Sequence, residues 1–66
     1  MEEYIGTTAG SIWHYLNGHG ETSAIKLKAE LGISNRMLCF ALGWLSRENK
    51  VVIAEDGHTF KVSLRQ

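Results

Sequence analysis

The chain has 66 residues, which is enough for one domain spanning 1–66 but leaves only a small hydrophobic core. Seven lysines and arginines balance seven aspartates and glutamates, so the strong positive excess typical of nucleic-acid-binding proteins is missing. The single cysteine, Cys39, excludes an internal disulfide, and the absence of an apolar leader or a membrane-length apolar run predicts a cytoplasmic protein that does not contact membranes.

The first predicted helix covers about Tyr4–Asn17. Its apolar residues recur at the spacing of one helix face, and they are Ile5, Ala9, Ile12, Trp13 and Leu16. Gly18 follows at once and predicts the end of the helix, because glycine adopts the left-handed conformation without strain. The next residues are expected to form a loop, with room for a very short strand at Glu21–Thr22.

Two further helices are predicted on either side of a glycine turn. The second covers about Ala24–Leu31, with Thr22 or Ser23 as its cap, and Gly32 ends it. The third covers about Asn35–Asn49 with Ser34 as its cap, and its inward stripe is Leu38, Ala41, Leu42 and Leu45. A second apolar strip lies beside that stripe and consists of Met37, Phe40 and Trp44.

A β-hairpin is predicted at the C-terminal end of the chain. Two runs of alternating apolar residues flank Asp56-Gly57, a sequence that favours a two-residue type I′ turn. This turn sets Glu55 opposite His58, Ile53 opposite Phe60 and Val51 opposite Val62. All the large apolar side chains then share one face of the hairpin.

The order of helix, turn, helix and hairpin predicts an α+β winged helix-turn-helix, with three helices followed by a C-terminal two-stranded wing. The apolar and glycine positions of the helix-turn-helix pattern are filled by Leu27, Leu31, Gly32, Ile33, Leu38 and Ala41. Lys28 departs from this pattern, which usually has a small residue there. A short tetrahelical bundle or another α+β arrangement is the alternative.

Two segments also carry a family resemblance, residues 9–17 (AGSIWHYLN) and residues 41–48 (ALGWLSRE). In these segments, and on through the hairpin, the chain resembles a family of very small bacterial winged-helix proteins of uncharacterised function. The resemblance covers nearly the whole chain. It implies the winged-helix fold and supplies no activity.

Winged-helix proteins of the DNA-binding type place the third helix in the major groove, so a small transcription regulator is our first hypothesis. The candidate base-reading residues are Ser34, Asn35, Arg36 and Arg47, and the candidate phosphate-binding residues are Lys26, Lys28 and Lys50. Each of them is equally compatible with an ordinary solvated side chain. Phe40 and Cys39 on the reading face, and acidic Glu55 and Asp56 at the wing tip, disfavour standard docking.

The alternative hypothesis is a homodimeric interaction module that does not bind DNA. Met37, Phe40 and Trp44 would form its partner interface, because exposed aromatic and methionine side chains mark protein contacts. The competing interpretation places Met37 and Trp44 beneath the hairpin as core and leaves Phe40 exposed.

No catalytic, metal, cofactor or small-molecule site is expected. His14, His19 and His58 share no metal-ligand spacing, and Cys39 has no basic neighbour in sequence that would activate its thiol. We therefore do not expect an enzyme.

Overall fold

The computed structural model describes residues 2–65, so Met1 and Gln66 of the predicted domain lie outside it. Its elements in chain order are α1 (Glu2–His19), β1 (Thr22–Ser23), α2 (Ala24–Leu31), α3 (Asn35–Arg47), β2 (Val51–Asp56) and β3 (Thr59–Leu64). The predicted winged helix-turn-helix architecture is confirmed. The wing is part of a three-stranded antiparallel sheet in the order β1-β3-β2, because β1 pairs Thr22 with Val62.

A single core joins the three helices to the sheet. Its buried apolar residues are Ala9, Ile12, Leu16, Ala24, Leu27, Leu38, Ala41, Leu42, Leu45, Val51 and Val62. The predicted inward stripe of α3 is therefore buried in full. On α1 the stripe is narrower than predicted, because Ile5 and Trp13 are only half-buried.

Both long helices end at residues other than those predicted from the sequence. Helix α1 continues through Gly18 to His19, because Gly20 is the residue with positive φ and its N–H donates to Leu16 O. Helix α3 stops at Arg47 rather than Asn49. Asn49 has a φ of 60°, and the bonds from Asn49 N to Ser46 O and from Lys50 N to Leu45 O form a Schellman motif that closes the helix.

The predicted hairpin register is wrong: the turn lies one residue further along the chain, so each β2 residue pairs with a β3 residue two positions later than predicted. Asp56 pairs with Thr59, Ile53 with Val62 and Val51 with Leu64, so the two turn residues are Gly57 and His58. Gly57 has a φ of 65°, whereas Asn49 is the only non-glycine in residues 2–65 with positive φ. Glycine with positive φ at the first turn position alone fits a type II′ turn and excludes type I′.

The observed register keeps every side chain on its predicted face, because it differs from the predicted one by a two-residue shift. It also gives six paired positions from Val51 to Asp56 and brings Leu64 into the ladder. A further backbone bond from Arg65 N to Lys50 O, at 2.9 Å, extends the pairing beyond the strands. The longer ladder thus outweighs the local preference of Asp-Gly for the turn.

Candidate nucleic-acid interface

The helix-turn-helix is held by two serine caps and one glycine. Ser23 Oγ accepts from Lys26 N, and Ser34 Oγ accepts from Met37 N, both at 3.1 Å. Gly32 ends α2 with a φ of 62°, and Ile33 N donates to Lys28 O. These bonds satisfy helix-terminal groups and set the angle at which α3 leaves the turn.

The outward face of α3 is polar only at its ends. Each residue turns the helix by about 100°, so Arg36 and Arg47 point in nearly the same direction, about 16 Å apart along the axis. Cys39, Phe40 and Gly43 are exposed between them on this face, and Trp44 and Ser46 are exposed on either side of it. Base-edge hydrogen bonding by this face is therefore restricted to the first turn of α3 and to its last residue.

Lys28 and Asn35 meet across the turn. The ammonium Nζ of Lys28 donates to Asn35 Oδ1 at 3.3 Å, and the Lys28 side chain is half-buried. This bond explains how a lysine is tolerated at the usual small-residue position: its stem covers the junction and its charge reaches the edge of α3. The Asn35 side-chain carbonyl accepts this bond, and Asn35 itself is exposed.

The remaining predicted cations lie on different parts of the domain. Lys26 is exposed in the first turn of α2, and Arg36 is exposed in the first turn of α3. Lys50 lies beyond the far end of α3, where its Nζ is 3.6 Å from Glu48 Oε1. The structure thus brings Lys28 and Asn35 into contact, leaves Lys26 and Arg36 exposed on the same helix-turn-helix, and places Arg47 and Lys50 at the far end of α3 and beyond it.

The balanced net charge conceals a segregation of charge along the chain. Residues 24–47 carry four cations, Lys26, Lys28, Arg36 and Arg47, against Glu30 alone, which gives a net +3. All other residues together carry three cations and six anions, which gives −3. The overall composition hides this separation, because the charges of the two parts cancel over the whole chain.

The wing tip is acidic, as the sequence predicts. Glu55 and Asp56 are both exposed, and Asp56 Oδ2 lies 3.7 Å from Lys61 Nζ. A phosphate backbone approaching this tip would meet negative charge, which disfavours insertion of the wing into a DNA groove.

The apolar strip of α3 faces a groove between α3 and α1. Phe40 is 44% and Trp44 40% exposed, whereas Met37 is half-buried. The groove has a volume of about 520 Å³, and it is lined by Ile5, Phe40, Gly43, Trp44, Arg47 and Glu48. Trp44 packs close to Gly6 of α1 rather than beneath the hairpin: a Cβ at Gly6 would lie 3.7 Å from Trp44 Cζ2.

Within residues 2–65, no cluster of three or more histidine, cysteine, aspartate or glutamate side chains has the arrangement of a metal site. The same residues contain no helix both long and apolar enough to cross a membrane. Cys39 is a free, exposed thiol on α3.

Comparison with known proteins agrees with the architecture. The chain is 36% identical over 64 residues to the uncharacterised protein MJ1608 of Methanocaldococcus jannaschii, covering 92% of this chain and 90% of the relative. The solution NMR structure of protein BT2368 from Bacteroides thetaiotaomicron matches with a TM-score of 0.84 and 34% identity, over 97% of this chain and 79% of that one. The archaeal relative shows that the resemblance is not confined to bacterial proteins. Residues 1–64 match the model of the winged helix-turn-helix domain family DUF2582, and the chain belongs to this family.

Proposed function

We propose that this domain binds double-stranded DNA through the first turn of α3 and the cations of α2, as a small regulator of transcription. The observation that carries the proposal is the net +3 charge confined to the α2–α3 unit, opposite in sign to the rest of the chain. Such a separation orients the domain in the field of a polyanion even when the net charge is zero.

In the proposed complex, α3 enters the major groove with its N-terminal end toward the bases. Arg36 reads guanine through its two parallel N–H donors, and the amide N–H groups of Asn35 face an acceptor on a neighbouring base edge. Lys26 and Lys28 bind phosphates beside the groove. Phe40 has no hydrogen-bonding group, so it contacts the methyl group of thymine, and sequence readout is concentrated at one end of the helix.

The acidic wing sets a limit on the docking geometry. Because Glu55 and Asp56 are exposed at its tip, the wing is expected to point away from the phosphate backbone. With two cations, Lys26 and Lys28, against phosphates, the logarithm of the binding constant should fall with a slope of about −1.8 against the logarithm of salt concentration. Raising the salt from about 50 to 200 mM would then weaken binding by about 12-fold.

An NMR titration of isotope-labelled protein with mixed-sequence duplex DNA at low salt tests this proposal. We expect shifts at Lys26, Asn35 and Arg36 that reverse when salt is added. Arg36→Ala should reduce the affinity by roughly 10-fold or more, whereas Arg65→Ala, an exposed arginine outside the α2–α3 unit, should change it little. The absence of shifts in α2 and α3 at low salt would refute DNA binding by this face.

A second candidate function is a homodimeric interaction module that does not bind DNA, with its contact through the strip of Met37, Phe40 and Trp44. It is favoured by the exposure of two aromatic side chains beside a groove, because such surfaces often contact a partner. A homodimer built on this strip would dissociate in Phe40→Glu, and the exposed position of Phe40 should leave the monomer folded. A light-scattering mass of one chain at high concentration, with no DNA response, would contradict both candidate functions.

A further inference from the structure

Strand β2 leaves one edge of the sheet open. It is the outer strand in the order β1-β3-β2, and all of its residues except Val51 are exposed. Sheet edges are normally protected by proline, by charged side chains, above all lysine, or by a bulge. The sequence of β2, VVIAED, has no proline or lysine, its charges are confined to Glu55 and Asp56 beside the hairpin turn, and its pairing with β3 runs without interruption from Val51 to Asp56.

The backbone bonding pattern identifies which residues present this edge. Arg65 N donates to Lys50 O across the end of the hairpin, so the Lys50 carbonyl points toward the β3 side. Backbone groups of successive strand residues point alternately to the two sides of the strand. Val52, Ala54 and Asp56 therefore bond to β3, and the N–H and C=O groups of Val51, Ile53 and Glu55 point to the open edge.

We propose that a second copy of this chain pairs with β2 in antiparallel fashion, about a two-fold axis that passes through Ile53. This register sets Ile53 opposite Ile53, and Val51 opposite Glu55 on either side. Each of these three pairs exchanges two backbone hydrogen bonds, because all of the residues present outward-facing groups. A shift by two residues loses one of the pairs, and a shift by one residue puts inward-facing groups at the contact.

Charge complementarity argues that the occupant is a second copy. In the same register, Lys50 of each copy lies opposite Asp56 of the other, so two opposite-charge pairs form by symmetry. No two like charges face each other, because Glu55 meets Val51 and Val52 meets Ala54. The second copy also covers the Ile53 side chain with its own Ile53. In the single chain this side chain is 45% exposed, although it lies on the same face as buried Val62.

This contact is separate from the apolar strip of α3. Ile53→Lys would place two ammonium groups on the axis, and the matched control Ile25→Lys changes an equally apolar, exposed residue of α2. Sedimentation from roughly 10 µM to 1 mM should show a dimer for the native chain and for Ile25→Lys, and a monomer for Ile53→Lys. A native monomer throughout, or a dimer abolished by Phe40→Glu and not by Ile53→Lys, would overturn the proposal.

A charge exchange tests the register itself. Lys50→Asp and Asp56→Lys each create two like-charge contacts in a homodimer, so each variant alone should dimerise on the order of tenfold more weakly. An equimolar mixture of the two variants restores both opposite-charge contacts and should recover the dimer. Lys50 and Asp56 lie about 20 Å apart within one strand, so recovery cannot arise inside a single chain. Failure of the mixture to recover would reject this register.

A distance measurement provides the direct readout. In an antiparallel pair, residues that exchange no hydrogen bonds bring their Cα atoms to about 4.5 Å. An isotope-filtered NMR experiment on mixed labelled and unlabelled copies should therefore show a contact between the Hα of Val52 and the Hα of Ala54 in the other copy. A dimer that lacks this contact would refute the pairing of β2 with itself.

Discussion

Replacing Gly57 by alanine tests the turn of the wing, because the substitution adds only one methyl group. Gly57 has a φ of 65°, and a Cβ added there meets no atom within 4 Å. The cost of Gly57→Ala is therefore purely conformational and should be about 1–2 kcal/mol, the penalty for an L-residue in the left-handed region. Gly57→Val should cost more, because β-branched residues tolerate positive φ least.

Gly10 offers a control with the same chemistry and the opposite expected sign. It lies inside α1, and a Cβ there also meets no atom within 4 Å. Gly10→Ala should stabilise the domain by about 0.5–1 kcal/mol, because alanine loses less backbone entropy in a helix than glycine does. The two alanine variants add the same methyl group and differ in the backbone conformation that receives it.

Thermal unfolding followed by circular dichroism compares the pair. For a domain of this size, 1 kcal/mol moves Tm by about 4–8 °C, so Gly57→Ala should melt below and Gly10→Ala above the native chain. Amide shifts in Gly57→Ala should be confined to the tip of the hairpin. A Gly57→Ala domain with unchanged Tm would refute a turn that requires positive φ at this position.

Three further stability predictions follow from the helices. Ser34→Ala removes the acceptor for Met37 N and should cost about 1 kcal/mol, seen as a lower urea midpoint; an unchanged midpoint would show that the cap contributes nothing. Leu38→Ala empties a fully buried position and should cost about 2–5 kcal/mol, enough to leave much of this small domain unfolded by circular dichroism at room temperature. Gly43→Ala should stabilise the domain through helix propensity by up to about 1 kcal/mol, seen as a higher Tm. If α3 enters the major groove, the same variant should alter the NMR shifts induced by DNA, and identical shifts would contradict that placement.

The candidate DNA interface could be predicted only in part from the sequence. Its residues could be named because the helix-turn-helix pattern fixes which positions of α3 leave the core. The contact between Lys28 and Asn35 could not be predicted, since it is a side-chain bond that forms across the turn. The separation of positive α2–α3 from the negative remainder likewise emerges only when charges are assigned to structural elements.

Helix ends and the turn of the wing show why local patterns mislead. Gly18 and Gly20 are both suitable helix stops, and the chain uses the second. Asp-Gly favours a type I′ turn, but the pairing of Val51 with Leu64 moves the turn to Gly57 and His58. In the hairpin, the longer ladder of paired residues decides against the local turn preference, whereas α1 is closed by a local bond from Gly20 N to Leu16 O.

The order of the helices and the hairpin, the buried stripe of α3 and the face of each hairpin residue could all be predicted from the amino-acid sequence. These features follow from periodicity, because a side chain buried at one helical or strand position dictates which neighbours are also buried. The hairpin register, the packing of Trp44 against α1 and the open edge of β2 depend on contacts between distant parts of the chain. A two-residue shift of a strand preserves its apolar pattern, so periodicity cannot distinguish registers that differ in their backbone partners.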